Sequence, residues 1–253
     1  TTTGFSIIKN VDNIDEPLLL WRSSSQWQGG LLFLLATIGT IGSKQIRIKP
    51  AYLISGGASG RNFYNNFNYN FIKISLIYLG TTIFVIFLYT AVDLRLLDAV
   101  NLAFTSISSG GFIPVEKLNS ILKNDFQIFI FSISLLFSIF NFFLLYDIFA
   151  RKFSFKNYQE DIHLIFFIIL LILLLYFFII SDVSFANMLF AIISSISTSG
   201  VTTYSSNLDL SLFLILLTIV GGSLISTSSG FKYTRIYILL KISYQEIYRL
   251  AKP

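Results

Sequence analysis

The chain has 253 residues, 54% of them hydrophobic and 17% aromatic, with a net charge of +5 from only 12% Asp, Glu, Lys and Arg. It contains 27 Phe and no Cys. Soluble domains carry about 25% charged residues, so the composition excludes a disordered chain, a disulfide framework and a thiolate metal site, and it speaks against a soluble enzyme. What remains is a membrane protein. The sequence starts at Thr1 and its single Met is Met188, which reads as a processed chain or a piece of a longer one. No charged segment followed by an apolar core opens it, so no signal peptide is visible.

A helix needs about 20 mostly apolar residues to cross the hydrocarbon layer. In chain order, TTTGF at 1–5 is followed by an apolar run at 18–41 that carries Trp21, Arg22 and Trp27 near its start. The two Trp residues read as interfacial aromatics. A second span covers 71–92, with Lys73 near its start. Residues 96–107 are apolar but only about a dozen long, and SSGGF follows at 108–112. A third span covers 126–149, uncharged until Asp147, which reads as a cap on the inner end of its helix. A fourth covers 162–180 and includes the only histidine, His163, for which no metal or proton role is expected. Residues 185–196 form another short apolar run, followed by STSGV at 197–201. The last apolar stretch, 210–240, is broken in its middle by GGSLISTSSGFK at 221–232. Runs of a dozen residues suit re-entrant helices, a surface amphipathic helix being the alternative.

Alternating these segments across the bilayer sorts the charges. Thirteen of the eighteen Lys and Arg fall on one side with Asp147, Glu160, Asp161 and Glu246 as its only acids, while the other side holds five basic residues and nine acids. The basic side is assigned to the cytoplasm by the positive-inside rule, and the acidic excess at the outer mouth attracts cations. Basicity is therefore a topology signal. No helix-turn-helix or RNA-binding signature accompanies it, so no nucleic-acid partner is expected.

TTTGF, SSGGF and STSGV share one pattern: small hydroxyl residues, a glycine, then a large apolar residue. The second and third copies follow a span and a short apolar run, and a span follows each, which makes a repeated unit. A helix that stops in mid-membrane turns its carbonyl end, and the negative end of its dipole, toward the centre. Backbone beyond it lacks helical partners and must line a water- or ion-filled cavity. Carbonyl rings of that kind replace the hydration shell of a cation. Close packing of membrane helices through Ser and Gly is the simpler reading of any single copy. Three copies at the same point of a repeat favour a filter, with candidate ligands Thr2, Thr3 and Gly4, then Ser109, Gly110 and Gly111, then Thr198, Ser199 and Gly200. Of the two glycines in the second copy, Gly111 is the equivalent one, because it precedes the aromatic residue. TSSGF at 227–231 also fits the pattern. It lies only 30 residues after Gly200, too close for two spans and a short helix between them.

These motifs, in this order, resemble the Trk/Ktr/HKT potassium transporters along nearly the whole chain. LLLWRSSSQWQGGLLFLL at 18–35, LDAVNLAFTSISSGGF at 97–112, FANMLFAIISSISTSGVTTYSS at 185–206 and GGSLISTSSGFKYTRIYILLK at 221–241 carry the resemblance, with NFFLLY at 141–146 and the closing RLAKP. Gln28 and Ser229 depart from the family pattern in W-x-G-G and S-T-x-G-G. The resemblance implies an all-α integral membrane protein of repeated span, pore helix, filter loop and span units, like a potassium channel, with a broken transmembrane helix near the C-terminus. It implies that residues 1–45 end a first repeat, 46–152 hold a linker and the second repeat, and 153–253 hold the third. The start of the first repeat and a fourth repeat would lie outside this chain.

By the same resemblance the break at 221–231 is an intramembrane gating loop made by Gly221, Gly222, Ser226, Thr227, Ser228 and Gly230, with Lys232 and Arg235 below it as gate-tuning residues or as simple markers of the cytoplasmic exit. Gly4 implies preference for potassium over sodium. Further implications are uptake into a bacterial cytoplasm across the inner membrane with the filter loops outside, a homodimer, and a cytoplasmic nucleotide-binding regulatory subunit. Potassium is the transported ion, and no cofactor or enzymatic activity is expected. Two other readings compete. A proton- or sodium-coupled symporter calls for ionisable residues within the spans, which look nearly devoid of them. A non-conducting assembly fragment follows from the missing repeats.

Overall fold

The computed structural model describes residues 8, 10–41, 67–149, 158–179, 184–203 and 211–251. These residues are mostly helical, without a strand among them: α1 (Glu16–Ile41), α2 (Phe67–Thr90), α3 (Leu96–Ser108), α4 (Asp125–Ile139), α5 (Phe142–Phe149), α6 (Gln159–Ile179), α7 (Phe185–Ile196), α8 (Ser211–Val220) and α9 (Tyr233–Ala251). The protein is an all-α integral membrane protein. Phe71–Thr90 and Gln159–Phe177, with mean hydropathies of 2.1 and 2.3, are long and apolar enough to cross a bilayer. Their outward faces carry the evidence. On α2, Ile72, Leu76, Leu79, Ile83 and Phe87 are exposed at helical spacing, while Ile74, Tyr78, Val85 and Tyr89 on the other side are buried. On α6, Phe166, Ile169, Leu170 and Leu173 are likewise exposed. A continuous apolar stripe of that size is untenable in water and correct against lipid.

The two short helices sit inside the bundle. α3 packs against α1, α2 and α4, and α7 against α4, α6 and α8. Local chemistry sets their ends. The Ser184 hydroxyl accepts the N–H of Asn187 to start α7, and Asp98 lies in the first turn of α3, where a carboxylate suits the helix dipole. α3 stops where Ser109 turns left-handed, and α7 stops just before Thr198 does the same. Stacked rings of Phe131 and Phe190, 5.4 Å apart, join α4 to α7. At the N-terminal end of α3, Arg95 pairs with Glu16 of α1. That partner holds the guanidinium above its usual range.

Three sequence-based expectations change. The span read at 126–149 is two helices, α4 and α5, bent by 106° at Phe140 and Asn141. Asn141 makes the break. Its side-chain oxygen takes the N–H of Phe143 at 3.0 Å, starting a new helix where the old one would have continued. Trp27 is an interior residue, not an interfacial one: its Nε1 donates to Thr82 at 2.9 Å and its ring lies against Tyr78 and Phe104. Asp147 caps nothing. Its buried carboxylate accepts the Tyr158 hydroxyl at 2.5 Å, tying α5 to the start of α6.

Candidate functional site

The two Ser/Gly loops that follow α3 and α7 are built alike. The hydroxyl of Thr105 donates to the carbonyl of Phe112, and that of Ser194 to the carbonyl of Val201. Gly110 N–H returns to Thr105 O, and Ser199 N–H to Ser194 O, both at 3.2 Å. Ser109 and Thr198 are left-handed at φ of 52° and 62°, and Gly111 and Gly200 at 84° and 66°. Every pair is separated by the same 89 residues. A left-handed non-glycine residue costs roughly 1–2 kcal/mol. Two at one repeat position are therefore imposed by the surroundings, and such outliers gather where the backbone has work to do.

The second loop is gripped by α1. Gln26 is 2% exposed. Its Nε2 donates to Ser108 Oγ and its Oε1 accepts the N–H of Phe112, both at 3.2 Å. One turn earlier, Arg22 donates to Ile113 O at 2.9 Å and lies 4.4 Å from the centre of the Phe112 ring. Its Nε and Nη1 are buried without a partner among the described residues. Gly110 lies so close that a Cβ would sit 1.7 Å from Gln26 Nε2. Gly30 allows the same intimacy one turn further on, where a Cβ would meet Tyr78 and Ser108 at under 3 Å. Sequence reasoning gave Arg22 and Gln26 no role. The signal was present as two long polar side chains, four residues apart, in an apolar helix.

The segment after α8 is an ordered loop that touches both Ser/Gly loops. Thr227 donates to Ile107 O at 2.8 Å and its carbonyl accepts the Ser109 hydroxyl at 2.9 Å. Ser229 N–H donates to the Thr198 hydroxyl at 2.8 Å. The same loop satisfies the backbone that the α4–α5 break leaves open. Ser223 N–H reaches Ile139 O at 2.9 Å, Ser228 N–H reaches Ser138 O at 3.1 Å, and Phe142 N–H reaches Ile225 O at 2.7 Å. Two breaks at membrane depth thus pair with each other, which is how irregular backbone survives there. Gly221 and Gly230 are left-handed at 67° and 87° and lie against each other. Ser226 and Ser228 bond within the loop, and Ser228 Oγ accepts the Gly222 N–H at 3.0 Å.

Lys232 and two carboxylates hold the loop from beneath. The Lys232 ammonium donates to Ser226 O, Ser226 Oγ and Ser228 O. Glu160 accepts the N–H of Leu224 at 2.9 Å, and Asp161 accepts that of Asn141, also at 2.9 Å. The first turn of α6 thereby grips the loop and the α4–α5 break together. Arg235 differs from Lys232: it is exposed on α9. Thr2, Thr3 and Gly4 lie outside the described residues. No group of three metal-ligating side chains occurs among the described residues, and His163 is exposed beside Tyr237.

Replacing Glu160 with Ala strips the Leu224 amide of its acceptor and removes the carboxylate that attracts Lys232. A buried donor left unpaired costs about 1–3 kcal/mol. The thermal midpoint in detergent is expected to fall by several degrees, whereas Glu246→Ala, on an exposed position of α9, leaves it unchanged.

No protein-family model matches the chain. An uncharacterized cation transporter from Methanocaldococcus jannaschii is 31% identical over 271 residues, an alignment that takes in 100% of this chain and 52% of that protein. The Trk system potassium uptake protein TrkH of Halomonas elongata is 26% identical over 273 residues, covering 100% of this chain and 55% of its own. The crystal structure of the potassium transporter TrkH from Vibrio parahaemolyticus superposes with a TM-score of 0.79 at 25% identity, over 100% of this chain and 54% of that one. The chain therefore spans about half the length of the curated relatives it matches.

Proposed function

We propose, for a chain that belongs to the TrkH-like members of the Trk/Ktr/HKT superfamily, that it supplies three filter walls and the gate of a potassium uptake pathway. One observation carries this reading. Two short interior helices end in Ser/Gly loops of matching geometry, and one ordered loop is bonded to both. Each short helix turns the negative end of its dipole toward its loop, which favours a cation there. Ser109, Gly110 and Gly111, and Thr198, Ser199 and Gly200, are the proposed ligand segments, and Gly4 with Thr2 and Thr3 supplies a third wall. The division at 1–45, 46–152 and 153–253 follows the repeats. The loops face outside across the cytoplasmic membrane, the transporter is a dimer, and a nucleotide-binding subunit docks on its basic inner face.

In the proposed gate, Gly221, Gly222, Ser226, Thr227, Ser228 and Gly230 form a plug directly behind the filter, and Lys232 holds it. The test is uptake of potassium and sodium by the full-length gene product in proteoliposomes and rescue of potassium-limited growth. Gly111→Ser and Gly200→Ser are expected to lower the potassium-to-sodium ratio at least tenfold, while Ser120→Ala, on the exposed outer loop, does not. Unchanged ratios in both glycine variants would remove the filter assignment.

A second reading has an observation of its own. Glu160, Asp161 and Lys232 are buried at the break, although the spans looked nearly free of ionisable groups. Buried ionisable residues at membrane depth are the mark of ion-coupled transport. Uptake that collapses when the proton or sodium gradient is removed, at constant membrane potential, would favour a coupled symporter.

A further inference from the structure

We infer that Gln26, with Arg22, is a specificity-determining positioning residue for the second Ser/Gly loop: α1 sets the spacing of that loop's carbonyls from outside. The inference rests on the filter reading of residues 108–113. The two loops share their internal geometry but not their support. Around the loop after α7, Ser194, Ser197 and Ser199 bond among themselves, Thr203 donates to Asn187, and the described bond from another segment is that of Ser229 N–H to the Thr198 hydroxyl. Residues 108–113 are instead held at three successive points by α1, through Ser108, the Phe112 N–H and the Ile113 carbonyl.

Gln26 fits this task chemically. Its amide donates at one end and accepts at the other, so both ends of the loop are tied to one rigid side chain. The side chain is 2% exposed, and Gly110 lies against it with no room for a Cβ. Arg22 fixes the far end with a planar guanidinium that lies over the Phe112 ring and donates to the Ile113 carbonyl. A carbonyl ring discriminates between cations by the number and spacing of its oxygens. Loosening one wall therefore alters selectivity before it alters the existence of a pathway.

The experiment measures potassium and sodium uptake by the full-length protein in proteoliposomes, for Gln26→Leu, Gln26→Glu and Arg22→Lys beside Gly111→Ser and Gly200→Ser. Gln26→Leu keeps the bulk and loses both hydrogen bonds. It is expected to lower the potassium-to-sodium ratio about tenfold, equivalent to about 1.4 kcal/mol, within the range for buried hydrogen bonds. Gln26→Glu keeps the acceptor for Phe112 N–H and falls between Leu and the native residue. Arg22→Lys keeps the charge and lowers the ratio about threefold, which preserves a test if Gln26→Leu does not assemble. Equal loss of potassium and sodium uptake in these variants would mean a merely structural role and would overturn the inference. An unchanged ratio, with the glycine variants altering it, would overturn the inference and leave the filter reading standing. If the glycine variants also leave the ratio unchanged, both fall.

Discussion

Gly110→Ala is expected to abolish selective potassium uptake and to destabilise the protein more than Gly200→Ala does. At Gly110 the new methyl would lie 1.7, 2.0 and 2.2 Å from three consecutive atoms of the Gln26 side chain. Gln26 has no free direction in which to retreat, because both ends of its amide are bonded. Expelling it leaves the Ser108 hydroxyl and the Phe112 N–H with one partner fewer, at about 1–3 kcal/mol each. At Gly200 no atom of the described residues lies within 4 Å of the added Cβ, and the left-handed φ of 66° is what is strained, at roughly 1–2 kcal/mol. Thermal unfolding in detergent should rank native, then Gly200→Ala, then Gly110→Ala. The double variant Gly110→Ala with Gln26→Ala removes the collision. It is expected to recover part of the stability and none of the potassium-to-sodium ratio. Equal stability of the two single variants would refute the steric account.

Gly222→Ala is expected to raise basal potassium flux. Its Cβ would sit 2.5 Å from the Ile139 carbonyl oxygen and 3.0 Å from the Ile139 Cα. Those are backbone atoms at the end of α4 and cannot step aside as a flexible side chain does. The loop must lift instead, and Ser223 N–H to Ile139 O and Ser228 N–H to Ser138 O are the bonds it loses. Thr227, which joins the loop to the end of α3 through Ile107 O, would move with it. Weakening the seated state by about 3 kcal/mol shifts its population roughly a hundredfold toward the lifted one. Gly230→Ala adds to this, since its φ of 87° is strained and its Cβ would lie 2.9 Å from Thr218 O. Flux through reconstituted protein without any regulatory partner is the measurement. A decrease in Gly222→Ala, with thermal stability unchanged, would contradict a loop that closes the pathway.

Much of this architecture was legible in one dimension. The two short helices were bounded nearly to the residue, because a dozen apolar residues between an outer acid and a Ser/Gly run have few other conformations at membrane depth. The pattern of the three copies picked out Gly200, and the aromatic residue that follows picked out Gly111 rather than Gly110; both are left-handed in the structure. The break at 221–232 was evident from its glycines and hydroxyls. The bend at Phe140–Asn141 was not, since 126–149 is mostly apolar and uncharged until Asp147, and one Asn is a weak signal. Asn141 acts as a helix breaker only because Asp161 takes its N–H and the loop after α8 supplies Ile225 O to Phe142. Lys232 and Arg235 look equivalent in sequence, three residues apart, yet one is buried in the loop and the other exposed on α9.

What the sequence by itself determined was what depends on local period and solvent: a membrane protein, its short helices, and the repeat that places hydroxyls and glycines at equivalent points. Hydrophobic length and charge act residue by residue and need no knowledge of neighbours in space. Only the tertiary structure decided which polar groups meet. Gln26 found Gly110 across 84 positions, Thr227 found Ile107 across 120, and Glu160 found Leu224 across 64. In a bilayer an interior polar group has no water to satisfy it, so each must find a partner inside the protein. That partner is chosen by the fold, because any of several distant carbonyls or amides would serve the chemistry and only packing brings one of them within reach.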